Sequence, residues 1–178
     1  MNIDLHDVAS APASSKATLN AVGQANGFTP NLFRALANSP STLNGFMAMM
    51  KANDGGTLSP AERQIVQLAA SMENQAGYCV AGHSAFATRM GMPAETIAAI
   101  RENRSLPDRR YQALADITRA LVRGRGSVNR EQLAAFEAAG FGAEQILEII
   151  AGIALKTVTN FVTSSFDLPL DAQFEPHA

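Results

Sequence analysis

The stretch from Ile146 to Val162 constrains this chain most: 17 residues, apolar around most of a helical circumference, with Glu148, Lys156 and Asn160 inside it. A helix that is apolar on nearly all sides has to be surrounded, by its own chain or by a neighbouring subunit. A bilayer span needs about 20 nearly uncharged residues. The stretch therefore reads as a buried core helix, and no membrane partner is expected. The opening MNIDLHDVASAPASS has no basic region followed by an apolar one, so no secretory signal is read there and a cytoplasmic location is expected.

The rest of the chain supplies helices to surround that core. Gly27, Pro30 and Pro40 punctuate two short helical stretches at about 30–38 and 40–52, and Asn53-Asp-Gly-Gly56 reads as a loop. Ser59-Pro60-Ala61-Glu62 is a helix start, with a capping serine, a proline at the first position and a glutamate placed for a capping box. Ile65, Leu68, Ala69 and Met72 then recur at helical spacing. Further helices are expected at about 78–90, 93–102 and 108–122, the last ended by Arg123-Gly-Arg-Gly126. Asn129-Arg-Glu-Gln132 is a second capping box, and Gly140 and Gly142 bracket the turn into a long helix at 144–165. Period-2 alternation is almost absent. The expected fold is all-α with about eight helices: a loosely ordered arm at 1–16, then a single domain at 17–178.

Composition narrows the function. Fourteen basic against sixteen acidic residues give a net charge of −2, which suits neither a nucleic-acid groove nor an anionic surface. A single cysteine excludes an internal disulfide and any multi-thiolate metal site. With histidines only at 6, 83 and 177, neither a zinc site nor a cofactor is expected, and His6 and His177 are assigned no role.

Cys79 and His83 stand four apart at the start of a helix, on one face and within mutual reach. First-turn amides and a nearby imidazolium both favour a thiolate, the form that attacks a peroxide, a disulfide or an electrophilic carbon. Phe86 and Met90 continue the same face, so an inert core cysteine beside a buried imidazole is the competing reading.

Asn74-Gln-Ala-Gly-Tyr78-Cys79-Val-Ala-Gly-His83 resembles the signature of the alkylhydroperoxidase D and carboxymuconolactone decarboxylase-like family, approximately Asn-Gly-Cys-x-Tyr-Cys-x-x-x-His. Gly27-Phe-Thr-Pro-Asn-Leu-Phe33, Leu58-Ser-Pro-Ala-Glu-Arg63, Ala139-Gly-Phe141, Thr159-Asn-Phe161 and Pro169-Leu-Asp171 are similar to family text as well. The resemblance implies an alkylhydroperoxidase D-like helical bundle that assembles as trimers or hexamers. In redox members two cysteines cycle between dithiol and disulfide, a histidine and a glutamate help move protons, and a partner disulfide system reduces the enzyme.

The chain departs from that pattern twice. The first cysteine falls on Ala76, and the glutamate falls on Gln64. Glutamine can hold a water or orient His83 but cannot act as a base. Without a second thiol, a sulfenic acid on Cys79 has no internal thiol to resolve it.

Two functions follow as expectations. One is a one-cysteine peroxidase in which Cys79 and His83 are catalytic and Gln64 and Tyr78 are supporting polar groups. Its substrate is a small molecule, a hydroperoxide, and its reductant is an external thiol. The other is a non-redox carboxymuconolactone decarboxylase-like enzyme or small-molecule-binding oligomer, working by proton transfer at His83 with a carboxylate clamp drawn from Arg63, Arg89 or Arg101. Gly55-Gly56 lacks phosphate-loop spacing and reads as a turn, and Arg123-Gly-Arg-Gly126 as an ordinary helix end.

Overall fold

The computed structural model describes residues 2–178, and among them the secondary structure is helical throughout. Nine α-helices run in order: α1 Ala13–Asn26, α2 Asn31–Leu36, α3 Pro40–Asp54, α4 Pro60–Glu73, α5 Gly77–Arg89, α6 Ala94–Arg101, α7 Arg109–Arg123, α8 Arg130–Ala138 and α9 Ala143–Ser165. A short 3-10 turn, Glu175–His177, follows. The all-α expectation holds. The extra helix is α1, which buries only Ser15, Leu19 and Val22 and so leaves little apolar periodicity in the sequence.

Residues 1–16, expected as a loosely ordered arm, differ over most of their length; Met1 lies outside the described residues. The Arg34 guanidinium donates to the Leu5 and His6 carbonyls, Asn38 donates to the Asp4 carbonyl, and Ala11 is buried. These anchors are single donors far away in sequence, which composition does not reveal.

Both capping boxes form. Ser59 Oγ accepts from the Glu62 amide while Glu62 accepts from the Ser59 amide, and Asn129 and Gln132 do the same for α8. The Arg123–Gly126 run ends α7 as expected, with the Gly126 amide returning to the Leu121 carbonyl and Arg123 paired to Glu73. The turn at 55–56 is fixed from α9: Glu148 accepts from the amides of Thr57 (2.6 Å) and Leu58 (2.9 Å). Its carboxylate lies so close that a Cβ on Gly56 would meet it at 2.7 Å.

Burial falls into two apolar clusters. The larger joins α4 to α9 around Ile65, Leu68, Ile100, Leu114, Ile117 and Ile149. The smaller gathers Leu19, Leu32, Leu36, Leu43 and Phe46 of α1–α3 with Leu155 of α9. α9 is long and apolar enough to cross a membrane by length and composition alone; here it packs against α2, α3, α4, α5 and α7. One stripe of this apolar helix is polar and buried: Lys156, Thr159, Asn160 and Thr163. Spaced three and four apart, they share one face, and that face carries the candidate site.

Candidate active site

α5 begins at Gly77 with Ala76 as its cap residue, and Ala76 offers no side-chain acceptor. Ahead of it, Gln75 holds φ at +53° while the Ala76 amide reaches back to the Ser71 carbonyl. The left-handed conformation favours glycine, and Gln75 occupies the place where the signature has its glycine. This turn puts Cys79 in the first turn of α5 and His83 one turn later, as the spacing predicts.

Cys79 is 3% exposed, and its Sγ lies 3.7 Å from the hydroxyl of Thr163 on α9. His83 is partly buried, and each of its two ring nitrogens has a partner other than the sulfur. Nδ1 meets Gln64 Oε1 of α4 at 2.9 Å, and Nε2 meets Lys156 Nζ of α9 at 2.5 Å. An ammonium only donates and an amide oxygen only accepts. With Lys156 charged, that arrangement leaves the proton of the neutral ring on Nδ1, where it is donated to Gln64, and the lone pair on Nε2, where it accepts from Lys156.

The sequence expectation of an imidazolium beside the sulfur is therefore corrected. Burial and the neighbouring Lys156 charge hold His83 well below the usual imidazole range. Lys156, 4% exposed, is the cation at the site. Burial pushes its amine below the ordinary lysine range, and a negative charge on Cys79 acts in the opposite direction. Among the described residues its three N–H groups have one partner, His83.

Tyr78 faces the other way. Its hydroxyl donates to Asp171 Oδ2 and accepts from the Leu32 amide, and burial with Asp171 beside it raises its pKa strongly. Asp171 also accepts from the Asn31 amide. This clasp ties the segment after α9 to α2 and seats Phe174 against the rings of Tyr78, Phe86 and Phe28, with centroids 5.6–5.9 Å apart. Gly82 gives it room, since a Cβ there would approach the ring to 3.3 Å.

Cys79, His83 and Lys156 line one small cavity of about 40 Å³, whose other walls include Leu32, Phe33, Phe86 and Phe174. Leu32, Phe33 and Tyr78 of its lining belong to the smaller apolar cluster. Such a volume holds one to three water-sized groups, against roughly 300 Å³ or more for a drug-sized pocket. The candidate arginines are elsewhere. Arg63 pairs with Asp54 and the Leu58 carbonyl, Arg89 lies over Phe86, and Arg101 donates to the His177 and Ala178 carbonyls. None lines this cavity.

Gln64 and His83 are thus hydrogen-bonded, Cys79 shares a cavity with His83, and Tyr78 lines its wall. The residue that sequence reasoning missed is Lys156. Its signal was the polar spacing 156, 159, 160 and 163 inside the most apolar segment, a stripe that a purely structural core helix does not need.

The fold is the alkylhydroperoxidase D-like helical one, here with a single thiol. Residues 40–108 match the carboxymuconolactone decarboxylase family model. Outside that segment the likeness is one of fold: the chain as a whole takes the alkylhydroperoxidase D-like helical fold. The chain is similar to the alkylhydroperoxidase AhpD core of an uncharacterized peroxidase-related protein from Ralstonia eutropha JMP134. That match has TM-score 0.85 and 24% identity, over 96% of this chain and 92% of that one. A peroxidase-related protein from Silicibacter sp. TM1040 has TM-score 0.83 and 20% identity, over 98% and 92%. The debrominase Bmp8 has TM-score 0.83 and 17% identity, over 99% and 95%; a cysteine-to-alanine variant of it is known in complex with 2,3,4-tribromopyrrole. No curated protein sequence matches the chain.

Proposed function

We propose that the protein is a one-cysteine peroxidase that reduces small hydroperoxides with an external thiol, in the cytoplasm. The observation that carries this reading is the convergence of Cys79, His83 and Lys156 on a cavity of about 40 Å³, room for a peroxide group and little more. The Cys79 thiolate faces the Lys156 ammonium and attacks the nearer peroxide oxygen. The O–O bond breaks, and the departing alkoxide takes a proton from Lys156, directly or through His83. Gln64 holds the ring so that Nε2 stays directed at Nζ.

The peroxidase-related structural neighbours support the same chemistry, and the debrominase Bmp8 supplies the rival, debromination. A tribrominated ring needs a far larger space than this cavity offers, which favours the peroxide. A proton-transfer enzyme of the decarboxylase type would need a carboxylate clamp, and no arginine lines the cavity. The test is peroxide consumption by wild type and Cys79→Ser with a small thiol as reductant. A loss of about 100-fold or more in the variant is expected, and equal rates overturn the reading. Bromide released from 2,3,4-tribromopyrrole faster than peroxide is consumed would favour the rival.

Self-association belongs to the same proposal. Leu147, Ile150 and Phe161 are exposed on α9, and with Ala154 and Thr157 they form a seam spaced alternately three and four apart. A second copy of the chain is the occupant the family resemblance implies, as a trimer or hexamer.

A further inference from the structure

A peroxidase with one thiol has to deal with its own sulfenic acid. Where the family signature has a resolving cysteine this chain has Ala76, 1% exposed and without any reactive group. Yet the cavity that holds Cys79 holds a second nucleophile, the primary amine of Lys156. It arrives from α9, 77 positions away in sequence, and it is buried as deeply as the sulfur.

Building on the peroxidase reading, we infer that Lys156 is the resolving group: its amine closes on the oxidised Cys79 sulfur to give a reversible sulfenamide, a covalent S–N link between α5 and α9.

The proton accounting of the first step prepares the second. Cys79 starts as thiolate and Lys156 as ammonium. Reduction of the hydroperoxide oxidises the sulfur to S–OH and yields the alcohol, whose proton comes from Lys156. That transfer leaves a neutral amine in the same cavity, hydrogen-bonded to His83 through Nε2. The nitrogen lone pair attacks the sulfur, the S–O bond breaks, and hydroxide leaves; the proton shed by nitrogen passes to it, through His83, as water. Thiolate, ammonium and hydroperoxide have become an S–N bond, one alcohol and one water. Two external thiols then reduce the link, restoring the Cys79 thiol and the amine and leaving as their disulfide. The depressed proton affinity of Lys156 suits this role, because it lowers the cost of holding a free amine. Burial also withholds bulk water from the sulfenic acid, and enclosure gives the amine a high effective concentration.

Intact-mass analysis of the full chain after one equivalent of hydrogen peroxide, which suits the small cavity, without reductant, tests the inference. A product about 2 Da lighter than the starting protein is expected, restored by dithiothreitol, with one proteolytic fragment joining the peptides of Cys79 and Lys156. Lys156→Arg keeps a cation without the nucleophilic amine; it is expected to gain about 16 Da with one equivalent and to run on to products about 32 and 48 Da heavier in excess peroxide. Wild-type protein that gains about 16, 32 or 48 Da on Cys79 with no lighter species overturns the resolving role while leaving the peroxidase standing. A Cys79 that stays reduced overturns both. The wild-type arm decides the matter even where the variant does not fold.

Discussion

At Lys156 two physical demands meet. A buried ammonium is costly unless it is paired, and its pairing here runs to a neutral imidazole and toward a thiol rather than to a carboxylate. Lys156→Met keeps much of the side-chain volume and removes the charge. It is expected to slow peroxide consumption by about 10- to 100-fold, the rate equivalent of roughly 1.5–3 kcal/mol of charge-assisted bonding, while thermal stability stays level or rises. Stopped-flow peroxide assays and a melting curve check the pair of outcomes. His83 supplies a pH signature. Its proton affinity is depressed in the fold, so the unfolded chain binds more protons at mildly acidic pH and stability falls as pH drops below the ordinary imidazole value of 6.5. The slope is at most about 1.4 kcal/mol per pH unit until the folded-state value is reached. In His83→Gln that limb should flatten in denaturation curves taken between about pH 6.5 and pH 5.5, above the range where Glu62 and Glu148, depressed in the fold, begin to protonate in the unfolded chain. Cys79 and His83 were legible from their spacing and Gln64 from its offset. Lys156 was not, because in one dimension a lysine inside an apolar run argues only against a membrane. Its role emerges when α9 is laid against α5.

Among the elements, the starts of helices were the clearest text. Ser59-Pro60-Ala61-Glu62 and Asn129-Arg-Glu-Gln132 hold all their atoms within four residues, so the sequence states them completely. α1 and the anchored segment before it depend on partners such as Arg34 and Asn38, and nothing local announces them. Two substitutions weigh these local effects. Gln75→Gly relieves a left-handed residue in the turn that aims Cys79, and urea denaturation should show a change from neutral to about 1 kcal/mol more stable. Glu148→Ala withdraws the carboxylate that holds the amides of Thr57 and Leu58. It is expected to cost about 1–3 kcal/mol in the same measurement, because two backbone donors at the start of α4 lose their partner.

For the whole molecule, α9 presents opposite faces to different tasks. One carries Lys156 to the cavity and Thr163 to the Cys79 sulfur; the other leaves Leu147, Ile150 and Phe161 exposed. Phe161→Glu is expected to lower the assembly state in light scattering without altering the helical circular dichroism signal, since the residue is 61% exposed in the single chain. An unchanged molar mass would remove α9 as the contact between copies.

The aromatic plug formed by Phe174 has a consequence of its own. On the peroxidase reading, a buried sulfur behind that ring is guarded by size rather than by chemistry: hydrogen peroxide is expected to modify Cys79 faster than a bulky maleimide does. Widening the doorway with Phe174→Ala would then abolish discrimination between slim and bulky thiol reagents, and the cell would be left with a thiol open to every electrophile that drifts by.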